Sequence, residues 1–69
     1  MNLLDALIKK LEGEIAVAQA NVEVYLNQSV GIGEHPQHID EIDKQFQKIA
    51  DAQEKLQAIK DFREPRTAL

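Results

Sequence analysis

Apolar residues recur through the first part of the chain in alternating steps of four and three. They are Leu4, Ile8, Leu11, Ile15, Ala18, Val22 and Tyr25. That spacing is the seam of an amphipathic helix in heptad register. No proline interrupts it, and Gly13 is its one glycine. A second seam reads Ile39, Ile42, Phe46, Ile49, Gln53, Leu56 and Lys60, apolar except at Gln53 and Lys60. The predicted elements are helix 1 over about 2–28, a loop over 29–35, and helix 2 over about 36–63. Residues 65–69 form a frayed C-terminal tail.

The punctuation fits this division. Gly31 suits a left-handed helix end, with Ile32 folding back over the last turn. Gly33 is backbone-permissive. Pro36 suits a first helical turn, where its missing N–H is no loss. Lys60 and Arg63 sit near the negative end of helix 2, and Pro65 stops it.

Facing residues of an antiparallel pair have a constant index sum. Tyr25 with Ile39, Val22 with Ile42, Ala18 with Phe46 and Ile15 with Ile49 all meet that condition. So do Leu11 with Gln53, Ile8 with Leu56 and Leu4 with Lys60. The fold class is therefore all-α, an antiparallel two-helix hairpin over residues 1–64. One competing stripe remains on helix 2. Ile49, Ala52, Leu56 and Ile59 are also well spaced, which would put Ala52 rather than Gln53 opposite Leu11.

A lone hairpin of this size has little core, and small scaffolds without staples usually gain stability by oligomerising. The register above leaves Leu3, Leu7, Val17, Val24, Ala52, Ile59 and Phe62 on one flank. The opposite flank holds Asp5, Glu12, Gln19, Asp43, Gln57 and Glu64, with Leu26 and Ala50 its apolar members. The expected oligomer interface is the apolar flank, pairing two hairpins into a four-helix bundle. Helix 1 is expected to be the more buried, because Ala6, Gly13 and Ala20 on its outer face are small enough to admit another backbone.

Composition narrows the functions. The chain has 69 residues, no cysteine and a net charge of −4. Absence of cysteine removes disulfides and thiolate metal sites. Negative charge disfavours nucleic acid, whose binding rests on phosphate neutralisation. No run is long and apolar enough for a membrane span, and the N-terminus lacks a basic leader region, so a cytoplasmic location is expected.

Candidate chemistry is sparse. Glu34, His35, His38 and Glu41 include imidazoles and carboxylates of the kind that ligate divalent metals. His35 and His38 are the weak candidates, yet no distant third ligand sits at a matching layer. The working expectation is that no metal and no cofactor is bound. Ser29 lacks an oriented base and a pocket, so no catalytic residue is assigned. Val30-Gly31-Ile32-Gly33 lacks the lysine and the preceding strand of a phosphate loop. Thr67-Ala68-Leu69 is too short to argue for capture of the C-terminal carboxylate.

The segment Val30-Gly31-Ile32-Gly33-Glu34-His35-Pro36 leads into an Ile/Asp/Glu-rich helix that ends near Lys55-Leu56-Gln57-Ala58-Ile59. It resembles small proteins encoded by tailed phages of marine bacteria, T4-like cyanophages among them. The resemblance covers roughly Ala16 to Phe62. It implies an accessory protein of unassigned function in the bacterial host cytoplasm, and it transfers no site residue. The expected function is a non-enzymatic oligomerisation or protein-interaction module whose partner is itself. One alternative is an adaptor or inhibitor that binds another protein through the same flank. A second is a metal-binding regulator acting through Glu34, His35, His38 and Glu41.

Overall fold

The computed structural model describes residues 2–28 and 35–64. Helix α1 spans Leu3–Gln28 and helix α2 spans His35–Arg63. The two pack antiparallel, since Asp5 meets Arg63 at one end and Tyr25 meets His38 at the other. No strand occurs among the described residues. The molecule measures 55 × 30 × 12 Å, a slab one helix thick. Every described side chain outside the seam therefore lies at a surface. The expectations placed on the turn residues Gly31, Ile32 and Gly33, and on the tail 65–69, fall outside the described residues. Pro36 lies in the first turn of α2.

All seven seam residues read on α1 are buried or half-buried. On α2 the seam is His38, Ile42, Gln45, Ile49, Ala52, Leu56 and Ile59. Ile42, Ile49 and Leu56 sit where the spacing put them. Ile39, Phe46, Gln53 and Lys60 do not: all four are exposed, and each gives its place to the preceding residue. The stripe through Ala52 and Ile59 is the one adopted.

Two costs explain this choice. A seam through Gln53 and Lys60 would desolvate an amide and an ammonium with no partner in view. Size also matters. Leu11 is the largest fully buried side chain, 1% exposed, and it clusters with Ala52, 2% exposed, and Ile59. A small residue beside Leu11 lets the backbones approach and close the layer. The register buries Gln45 in exchange, and its Oε1 accepts a hydrogen bond of 3.2 Å from the Asn21 amide nitrogen. That bond offsets the burial of one polar group against another.

The open end is held by a polar clasp. Asn2 caps α1: its Oδ1 accepts from the Asp5 N–H at 2.9 Å, and Asp5 Oδ2 accepts from the Asn2 N–H at 3.2 Å. This is a reciprocal capping box. Arg63 then donates from Nη2 to Asp5 Oδ1 at 2.7 Å and to Asn2 Oδ1 at 3.1 Å. One guanidinium ties the last turn of α2 to the cap of α1. The bond to Arg63, with the Asn2 N–H, holds the Asp5 carboxyl below its ordinary range.

The register makes a direct prediction in thermal unfolding. Gln53→Leu should change stability by no more than ~0.5 kcal/mol, as surface changes do. Ala52→Leu should cost ~1–3 kcal/mol through overpacking. The reverse ranking would place Gln53 in the seam. The clasp makes a second prediction. A lowered carboxyl pKa contributes stability that is complete at neutral pH and lost as pH falls through the lowered value. Amide shifts of residues 2–6 should therefore move in acid, below the ordinary carboxylate range. In the Arg63→Ala variant that movement should begin at higher pH.

Candidate interaction surface

The exposed apolar side chains lie on both flanks of the slab. Leu3, Leu7, Val17, Val24 and Phe62 are exposed on the flank expected to form an interface. Ala52 and Ile59, assigned there from sequence, are instead buried in the hairpin seam. This correction follows from the one-residue shift on α2. The same shift releases Ile39 and Phe46 onto the opposite flank, where they are 64% and 54% exposed beside Leu26. That flank is therefore more apolar than the sequence reading made it. The signal for this was the second stripe on α2, which leaves Phe46 outside.

A groove of about 650 Å³ runs along the first flank. Its α1 wall is Lys10, Gly13, Glu14, Val17 and Asn21, and its α2 wall is Gln45, Lys48, Asp51 and Lys55. Ala18 and Ala52 line it between these walls. The groove exists because these positions are small. Gly13 widens it: a Cβ built there meets nothing within 4 Å. No contact within the hairpin requires that glycine, although glycine in a helix interior costs ~1 kcal/mol relative to alanine.

Polar side chains on the surface pair along their own helices. Lys10 donates to Glu14 at 2.5 Å one turn on. This bond lowers the Glu14 pKa, and the Lys55 charge on the facing helix adds to the effect. On α2, Lys44 donates to Glu41 at 3.1 Å, which raises the Lys44 pKa. Gln47 Nε2 donates to Asp51 Oδ1 at 3.0 Å. Such surface pairs contribute little to stability.

Of the candidate metal cluster Glu34, His35, His38 and Glu41, the side chains of His38 and Glu41 are described. His38 packs its ring on Tyr25, with centroids 6.0 Å apart and planes at 51°. It occupies the seam layer expected for Ile39. Its Nδ1 is buried with no hydrogen-bond partner among the described residues. Glu41 is engaged by Lys44. No group of three or more His, Asp or Glu side chains converges among the described residues. Glu34 and the His35 imidazole lie outside what is described. No described helix is long and apolar enough to cross a membrane.

Comparison with known proteins returns nothing: no family model, no curated protein and no solved structure matches the chain.

Gly13 provides a test of the groove. With open space around its Cα, Gly13→Ala should stabilise the dilute chain by up to ~1 kcal/mol, the helix-propensity difference. Circular dichroism during thermal unfolding measures this. A lower melting temperature at high dilution would mean that hairpin atoms already occupy the space.

Proposed function

We propose that this chain is a non-enzymatic helical-hairpin module that self-associates and works through protein–protein contact. One observation carries the reading. Among the described residues, eight large hydrophobic side chains are exposed. Six hydrophobic residues are buried, and two of those are alanines. The hairpin thus leaves eight large apolar side chains exposed, against four that it fully buries and six that it half-buries. A soluble monomer normally keeps apolar surface in small patches. A slab one helix thick can bury more only by gaining a second layer.

The simplest second layer is another copy, two hairpins making a four-helix bundle. An accessory role of the kind implied by the resemblance to small phage proteins suits such a module. The same exposed flanks also suit a helix from another protein, which gives the adaptor reading its support.

Sedimentation equilibrium at micromolar concentration tests the proposal. The expected mass is well above the 7.8 kDa of one chain. A fully helical species at the mass of one chain contradicts it.

A further inference from the structure

The groove holds one half-used pair of amides. Gln45 is 6% exposed, yet it lines the groove together with Asn21. The bond between them takes the Asn21 nitrogen and the Gln45 oxygen. Asn21 Oδ1 and Gln45 Nε2 have no partner among the described residues. Neither atom is among the enclosed ones, as His38 Nδ1 is. Both therefore open on the groove. An unused acceptor and an unused donor stand side by side in a wall that is otherwise apolar beside Val17.

This edge selects its occupant. An apolar side chain laid over it strands a donor and an acceptor away from water, which is unfavourable. The occupant must return one acceptor and one donor in the opposite order. The same edge on a second copy, turned by half a revolution, does that. Charge selects nothing here, because the rim carries Lys10, Lys48 and Lys55 together with Glu14 and Asp51.

We propose that the groove is covered by the groove of a second copy, and that the two amide pairs close into a ring of four across a two-fold axis. The proposal rests on the self-association reading above and specifies its geometry. In each copy Asn21 donates to Gln45, and Gln45 Nε2 donates to Asn21 Oδ1 of the second copy. Every amide then gives one hydrogen bond and accepts one. The axis runs along the helices. Asn21 lies ~10 Å from the loop end of α1 and ~27 Å from its start, so an axis across the helices at this layer leaves the longer part of each hairpin uncovered. An axis along them brings every layer against its own layer. It sets α1 beside the α2 of the second copy, antiparallel, with both loop ends together. Leu3, Leu7, Val17, Val24 and Phe62, all exposed on this flank of the single hairpin, then face the second copy. Gly13 leaves room on the same wall for its helix. A buried amide of this kind fixes register and the number of chains.

Two experiments test this. The chain has no cysteine, so Ala6→Cys and Asn27→Cys, both at exposed positions near opposite ends of α1, each place one spin label per copy. Dipolar spectroscopy should give similar short distances in both samples, about two helix diameters or ~20–25 Å. The second experiment is Gln45→Glu, followed by sedimentation and circular dichroism. Its carboxylate buries a charge at the interface at neutral pH. The helical dimer should be lost there and should return in acid, where the protonated carboxyl donates as the amide did. Gln53→Glu makes the same charge change outside the groove and should keep the dimer. A distance of ~30 Å or more in either labelled sample overturns the axis, whether or not Gln45→Glu folds. A Gln45→Glu dimer as tight as the wild type at neutral pH overturns the amide ring. In both cases self-association stands. A wild type at the mass of one chain at all concentrations overturns both readings.

Discussion

The contact between Leu11 and Ala52 sets everything else in this molecule. A leucine that is fully enclosed needs a neighbour small enough to let two helix backbones close around it, and interiors tolerate neither a void nor an extra methylene at such a layer. Once Ala52 occupies that layer, heptad spacing fixes the rest of α2. Ile59 and Ile49 point inward, Gln45 is drawn into the seam, and His38 comes to rest on Tyr25. Phe46 and Ile39 are turned outward as a consequence. The shape of the surface is thus decided in the core.

That chain of cause explains what the sequence shows and what it hides. On α1 the seven seam residues can be read directly, because no second stripe competes with them. On α2 two stripes overlap, sharing Ile42, Ile49 and Leu56 and differing by one residue at every other layer. Hydrophobicity favours the stripe through Ile39 and Phe46. Volume and charge favour the one through Ala52 and Ile59, since it keeps Lys60 in water and fits Leu11. Counting apolar residues weighs the first effect and misses the second. The error carries over to the candidate interface, where Ala52 and Ile59 leave the exposed flank while Leu3, Leu7, Val17, Val24 and Phe62 remain on it. The cap at the open end went unread in the sequence, although Asn2 and Asp5 stand three apart at a helix start in the manner of a capping box. What joins Arg63 to them is tertiary and has no local signature.

The functional reading follows from geometry more than from chemistry. The ion pairs along the helices, Lys10 with Glu14 and Lys44 with Glu41, are exposed pairs of near neighbours. What stands out is the exposed apolar surface on both flanks, with a groove along one of them.

The most direct measurement is a set of nuclear Overhauser contacts within one chain, taken on isotope-labelled protein diluted into unlabelled protein so that contacts between copies are filtered out. The account predicts strong contacts from the Leu11 methyls to the Ala52 methyl, and none from the Phe46 ring to Ala18 of the same chain. Intrachain contacts from Leu11 to the Gln53 side chain, with Phe46 against Ala18, would contradict it.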